Sequence, residues 1–356
     1  MIKILYVITG LGVGGAEKVV CDLADQMSTL GHQVKIAYLT GGILVRPKNI
    51  NIDLISLDLN NLYGLYSASK KYKKLIQDFQ PDVVHAHMVH ANIFARISRI
   101  RCTVPKLICT AHNSNEGGKL RMMAYRLTNF LSDFNSNVSQ EATESLISKG
   151  AFNKNNLTTV YNGIDLSKFK SFKTAKKIDE IMVLSVGRFN EQKDYPNLFK
   201  AIKILKDNSL IEKVKFYIAG DGELRSYLEK TIEDYGIKNN VVLLGKRSDI
   251  PELLNQSDYF VLSSRHEGLP TVVIEAMACE TFVVATDCGG SAEILGETGI
   301  LVPIQNSEAL AKGLEQAMSL TEDQIRNNGK LARERVEKLF SLEASVKKWL
   351  ALYEVE

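Results

Sequence analysis

Two carboxylates, Glu267 and Glu275, bracket the segment Gly268-Leu269-Pro270-Thr271, which reads as a loop running into a helix. The apolar run before it stops at about Leu262. Pro270 stands where the helix would take its first residue, because a first turn leaves its N–H groups unpaired anyway. Backbone N–H groups around 268–271, with the positive end of a helix behind them, would form an anion site. Carboxylates do not hold anions, but they do accept hydrogen bonds from hydroxyls. A pair of them beside a phosphate site therefore suits a ligand that carries both phosphate and sugar. The plainer alternative is two solvated acids at a helix start.

Arg188 and Lys193 follow the apolar run 181–186 within one short polar segment. A planar guanidinium fork and a compact ammonium together can neutralise a diphosphate; a surface salt-bridge pair is the bland reading. Near the start of the chain, Gly10-x-Gly12-x-x-Gly15 superficially matches a dinucleotide fingerprint. That site also needs an acidic residue about 20 positions on, and no Asp or Glu occurs between residues 26 and 52. A nicotinamide or flavin site does not fit. What remains is either a tight turn or a place where Gly14 and Gly15 let phosphate or sugar reach N–H groups at a helix start. His85 and His87 alternate along 83–87 and so share one strand face. No cysteine or carboxylate pattern completes a metal site around them, so neither metal nor cofactor is expected. His112 and Asn113 end another apolar run, and His266 adjoins Glu267 without a specific role.

The elements that must position these groups alternate between apolar runs and amphipathic stretches, the pattern of a parallel sheet covered by helices. Strands are expected near 3–9, 34–40, 83–87, 106–110, 133–138 and 157–160. A second series is expected at 181–186, 214–219, 241–244, 259–262 and 282–285. A helix is expected from Ala16 to Leu30, with Gly31 as the residue just past its end. The polar, non-periodic segment 169–177 reads as an interdomain linker. The expected division is therefore 1–168 and 169–340, with a long amphipathic helix over 331–353 around Trp349. At 356 residues the chain suits two domains.

Several gross features exclude whole classes. No apolar stretch is long enough to span a bilayer, and the first residues read as a strand rather than a signal peptide. Cys21, Cys102, Cys109, Cys279 and Cys288 form no close-spaced pair, so neither a disulfide framework nor a zinc site is indicated, and a reducing cytoplasm is the expected home. Up to residue 165 there are 18 Lys and Arg against 12 Asp and Glu; beyond it, 26 against 29. A basic first half beside an acidic second half implies an anionic partner for the first.

With these residues in place, the chain resembles the retaining glycosyltransferase family numbered four. The segment Glu267 to Ala278 resembles that family's signature, and Gly187-Arg188 with Lys193 resembles its pyrophosphate element. Ile218-Ala219-Gly220-Asp221-Gly222, Tyr161-Asn162-Gly163-Ile164-Asp165, Leu244-Gly245-Lys246-Arg247 and Asp287-Cys288-Gly289-Gly290 also follow its pattern, in order. In the first half, Gly14-Gly15-Ala16-Glu17 and Thr110-Ala111-His112-Asn113 do so too. The resemblance implies the α/β GT-B fold, two facing Rossmann-like domains of doubly wound parallel sheets with a C-terminal helix, about 341–356, crossing back. The implied reaction moves a sugar from a nucleotide-sugar donor, expected to be UDP-linked, to a glycan acceptor. In that reading Glu275 holds the ribose hydroxyls and Glu267 a donor-sugar hydroxyl. Arg188, Lys193 and the helix start at Leu269–Val272 stabilise the departing diphosphate without a metal. Gly220 and Arg247 lie at strand ends beside the nucleotide, His112 reaches the sugar near its 6-position, and His87 and Asn113 lie on the acceptor side. No carboxylate nucleophile stands out on the cleft side of the first domain; the resemblance implies front-face attack, with Glu267 as a nucleophile the alternative.

Three basic-apolar stretches, 70–75, 93–101 and 119–126, each read as a solvated helix face by default. Together they suit an anionic membrane surface, and the family's use of polyprenyl-diphosphate acceptors in bacterial surface-polysaccharide assembly implies peripheral contact through about 93–126 at the inner leaflet. No nucleic-acid motif accompanies the charge. A GT-B sugar-nucleotide epimerase and a non-catalytic glycan- or nucleotide-binding module are the competing readings.

Overall fold

A computed structural model describes residues 1–113, 117–172 and 180–354. The chain forms two compact units, Met1–Gly163 with Leu342–Glu356, and Ile164–Ser341.

Among its described residues the first unit holds a seven-stranded parallel sheet, β1 (Lys3–Ile8), β2 (Gln33–Tyr38), β3 (Asp53–Ser56), β4 (Val83–His87), β5 (Lys106–Ala111), β6 (Phe134–Asn137) and β7 (Thr158–Thr159). Its helices are α1 (Gly15–Thr29), α2 (Leu65–Phe79), α3 (Val89–Arg99), α4 (Lys119–Thr128) and α5 (Gln140–Ser148). The strand order is β3-β2-β1-β4-β5-β6-β7. The order reverses between β1 and β4, and in such sheets ligands bind outside the strand C-terminal ends at that point. Strands β1 and β4 are buried on both faces, so their apolar residues do not alternate with exposed polar ones, and β4 buries His85 and His87 as well. The edge strand β3, Asp-Leu-Ile-Ser, is half-exposed and has no such pattern, and the sequence reading misses it.

The second unit repeats the plan. Its sheet is β8 (Ile181–Val186), β9 (Val214–Ala219), β10 (Val241–Gly245), β11 (Tyr259–Leu262), β12 (Phe282–Thr286) and β13 (Ile300–Val302), in the order β10-β9-β8-β11-β12-β13. Its helices are α6 (Tyr195–Asp207), α7 (Arg225–Asp234), α8 (Ile250–Gln256), α9 (Thr271–Ala278), α10 (Ser291–Leu295), α11 (Ser307–Met318) and α12 (Glu322–Leu339). Here the reversal falls between β8 and β11.

Two boundaries differ from expectation. The helix expected over 331–353 is two helices. The first, α12, starts earlier, on a capping box in which Thr321 and Gln324 satisfy each other's backbone N–H. It stops at Phe340, which is fully buried and whose carbonyl accepts from Ile164 N at 2.9 Å. The units divide after Gly163, a few residues before the expected 168. Phe169 and Lys170, placed in the linker, belong to the second unit instead. Their carbonyls accept from Arg333 (2.5 Å) and Asn255 (2.9 Å). Residues 173–177 of that segment lie outside the described residues.

The C-terminal helix, Leu342–Tyr353, belongs to the first unit and packs on α1. Trp349 and Tyr353 join Ile4, Tyr6, Ile8 and Val83 in one core, with the Trp349 ring centroid 4.4 Å from that of His85. Removing so large a buried ring leaves a cavity that a two-sided parallel sheet cannot close. Trp349→Ala should therefore cost about 3–5 kcal/mol. In urea unfolding, the transition of the first unit should move and that of the second should stay.

Candidate active site

After β8 the chain turns through Gly187 and Arg188 into a single 3-10 turn, Glu191–Lys193, capped by the Asn190 side chain accepting from Lys193 N at 3.2 Å. After the adjacent strand β11 comes the loop 263–270. The two loops are fastened together at several points. Arg265 N donates to Gln192 O (2.8 Å), and Ser263 Oγ donates to Lys193 O (2.8 Å). The Arg265 guanidinium pairs with Asp194, Nη2 donating to Oδ1 at 3.0 Å and Nε lying 2.9 Å from Oδ2 in the same ion pair, without hydrogen-bond alignment. Asp194 is 2% exposed and holds φ 46°, a left-handed conformation that Asp tolerates better than most residues.

That clamp sets the chemistry. Lys193 Nζ lies 2.6 Å from Glu267 Oε1, both side chains nearly buried. Ser264 Oγ donates to the same oxygen at 2.8 Å, and Gln192 Nε2 reaches Oε2 at 3.4 Å. Ser264 is held in turn by Thr286 Oγ1, which donates to its carbonyl at 2.7 Å. A buried ion pair is tolerated when further donors satisfy the carboxylate, as here.

Backbone close approach fixes the neighbouring loops. Gly289 has φ 54°, and a Cβ there would collide with the Glu267 carbonyl. Gly290 N donates to Gly268 O at 2.9 Å. A Cβ on Gly220 would likewise collide with Gly187 O, so the loops after β8 and β9 touch backbone to backbone. Gly268, Leu269 and Pro270 are buried, while Thr271 and Glu275 are half-exposed on α9. Pro270 is the residue before the helix rather than its first, with no side-chain cap. Because proline lacks an N–H, the expected 268–271 donor set is broken at Pro270, whose carbonyl accepts from Val273 N at 3.0 Å.

Arg188 and Arg247 stand apart from the pair. Arg188 Nη2 meets Glu223 at 3.2 Å with both side chains mostly exposed, and Arg247 forks onto Asp249, Nε to Oδ1 at 2.8 Å.

In the first unit, Gly14 is the extended residue preceding α1, and Gly14 and Gly15 are exposed. A side chain on Gly14 would strike the Glu17 carboxylate, so the chain's own acid sits over this helix start. Burial pushes that carboxyl up from its ordinary value. His112 is half-buried and its Nε2 lies 2.9 Å from His87 Nδ1. Its ring is pushed down to about 4 by desolvation. His87, expected on the acceptor side, is 1% exposed beneath His112. His85 is fully buried, its Nδ1 2.6 Å from Tyr353 Oη and its Nε2 2.7 Å from Thr110 Oγ1. Asn113 is half-buried, and its carbonyl accepts from Asn137 Nδ2 at 3.3 Å. The sequence reading assigned no individual role to Asp194, Arg265, Gln192, Ser264 or Tyr353.

Residues 13–168 match the family Glycosyltransferase Family 4, and residues 167–333 match Glycosyl transferases group 1. The chain is 28% identical over 323 residues to the Escherichia coli UDP-Gal:alpha-D-GlcNAc-diphosphoundecaprenol alpha-1,3-galactosyltransferase, covering 85% of this chain and 81% of that protein. It is 29% identical over 336 residues to a Campylobacter jejuni GalNAc-alpha-(1->4)-GalNAc-alpha-(1->3)-diNAcBac-PP-undecaprenol alpha-1,4-N-acetyl-D-galactosaminyltransferase, covering 90% and 89%. Among solved structures, Anabaena Alr3699/HepE in complex with UDP superposes with a TM-score of 0.83 at 20% identity, over 98% of this chain and 99% of that one. The fold is GT-B, that of a glycosyltransferase. The chain belongs to the group 1 glycosyltransferases of family 4.

Two outcomes follow from this geometry. Lys193→Met strands Glu267 in near burial and should destabilise the second unit by about 3 kcal/mol, read by urea unfolding, while Lys193→Arg costs less. The second concerns acid. The unfolded chain takes up protons on His112 from near pH 6.5 downward, whereas the folded ring resists until about 4. Stability of the first unit should therefore fall as pH drops through that window, and His112→Gln should flatten the slope of unfolding midpoint against pH.

Proposed function

We propose that this chain transfers a hexose or N-acetylhexosamine from a UDP-sugar to a glycan carried on a polyprenyl diphosphate, with retention of configuration and without a metal. The observation that carries this reading is the Lys193–Glu267 pair, built from the loops after adjacent strands at the reversal point of the second sheet. Lys193 supplies compact charge to the departing diphosphate, joined by Arg188 and the open N–H groups at the start of α9. Glu267 accepts from a donor-sugar hydroxyl and Glu275 from the ribose. His112 acts on the donor sugar, and Asn113 belongs to the acceptor side. As the glycosidic bond breaks, the leaving phosphate oxygen takes the proton of the attacking hydroxyl on the same face. The names of the Escherichia coli and Campylobacter relatives support this donor and acceptor class.

The same reading puts the enzyme in the cytoplasm, peripherally bound at the inner face of the membrane. Among the described residues no helix is long and apolar enough to cross a bilayer. Leu120, Met123, Leu127 and Phe130 are exposed at 53–78%, at spacings that share one side of α4 and its extension. Lys119, Arg121 and Arg126 flank them, and between Asp82 and Asp133 the sequence contains one acid, Glu116. Apolar insertion flanked by cations fits an anionic surface.

A UDP-release screen of candidate donors with a lipid-linked acceptor tests the reaction. Glu275→Ala should raise the donor KM, and Lys193→Ala should lower kcat by about 100-fold or more; wild-type behaviour in both overturns the assignment. Activity should survive EDTA. Vesicle sedimentation should depend on anionic lipid and weaken in Met123→Glu/Leu127→Glu, and indifference to lipid charge would remove the membrane contact.

A further inference from the structure

We propose that His87 is the positioning residue for His112, fixing its ring orientation and its tautomer through a direct ring-to-ring hydrogen bond. This rests on the reading of His112 as a group that acts on the donor sugar.

The bond is short and sheltered. His87 ends β4, His112 follows β5, and the two strands pair with His87 opposite Thr110. His87 Nδ1 and His112 Nε2 are 2.9 Å apart. Two neutral imidazoles share one proton across such a bond, so the tautomer of one dictates that of the other. Desolvation keeps both rings neutral. The other nitrogen of His87, Nε2, is buried and has no hydrogen-bond partner among the described residues. Were it protonated, an N–H would be buried with nothing to accept it, and orphaned N–H groups are the rarest kind of unpaired buried polar group. His87 therefore carries its proton on Nδ1 and donates it to His112 Nε2. His112 is left protonated on Nδ1.

The donor ring is itself immobilised. His87 lies with its centroid 4.0 Å from that of His85 and 5.8 Å from Tyr6. His85 has both ring nitrogens engaged, by Tyr353 and Thr110, and Tyr6 Oη meets Tyr353 Oη at 3.1 Å. The path of constraint runs from the C-terminal helix through Tyr353 and His85 to His87, and from His87 to His112. These engagements also leave His85 no lone pair for a metal.

The test uses the full chain labelled with 15N-histidine. In the wild type, the His112 ring should show the Nδ1–H tautomer by two-bond 1H–15N correlation. In His87→Phe that tautomer should be lost, and kcat should fall on the order of 10- to 100-fold with the donor KM little changed. His87→Asn places an amide nitrogen near the Nδ1 position and should recover most of the activity. A wild-type His112 in the Nε2–H form overturns the proposal without any variant. So does a His87→Phe enzyme with unchanged tautomer and kcat, provided that His112→Ala is impaired. If His112→Ala retains full activity, the reading of His112 itself fails, a separate result.

Discussion

Everything in the second unit converges on keeping one ammonium and one carboxylate 2.6 Å apart in near burial. Such a pair is poor evidence for stability, because desolvating two ions offsets most of their attraction. Its persistence needs geometry and extra donors, and the fold supplies both. Lys193 and Glu267 are far apart in sequence, yet β8 and β11 are neighbours, so the loops leaving their C-terminal ends emerge side by side. Ser264 and Gln192 complete the carboxylate's hydrogen bonds, and the Arg265–Asp194 ion pair keeps the loops from drifting.

The first unit has the same strand order and the opposite electrostatics. Where the second unit concentrates opposite charges, the first buries neutral imidazoles against tyrosines, with His85 and His87 held well below the ordinary histidine range by desolvation. Its helix start is guarded as well. Glu17 lies over Gly14, so an anion approaching α1 meets a carboxylate whose burial already favours its neutral form. The surroundings of these two sets of loops thus differ, charged pairs in the second unit and neutral hydrogen-bonding rings in the first.

How much of this the sequence discloses follows from the range of each interaction. Strands β4, β8, β9 and β11 are legible to the residue because largely buried parallel strands are mostly apolar stretches closed by polar turns. The short strands β3 and β13 are not, since exposure dilutes their pattern. Glu267, Glu275, Arg188 and Lys193 could be picked out because their motifs are local. Asp194 and Arg265 could not, as an ion pair across 71 residues leaves no local trace. Tyr353 is more remote still, 268 residues from the histidine it orients. The break at Phe340 was likewise hidden, because the bond that stops the helix comes from Ile164 on the far side of the unit's sequence.

The three cations assigned to the nucleotide-sugar, Arg188 and Lys193 at its diphosphate and Arg247 beside the nucleotide, each have an acidic partner within their own unit, and exposure separates them into two kinds. Arg188 with Glu223 and Arg247 with Asp249 are exposed pairs, and such pairs contribute only about 0–1 kcal/mol. A phosphate dianion competes with a solvated carboxylate on favourable terms, so these arginines can change partner at little cost. Lys193 cannot do so equally, because abandoning Glu267 would leave a carboxylate in near burial with only neutral donors. A ligand that satisfies both groups at once, phosphate oxygen for the lysine and hydroxyl for the glutamate, avoids that penalty. Under the proposed function, the buried pair would discriminate for a molecule in which sugar and phosphate are joined, and the exposed arginines would add affinity without adding that selectivity.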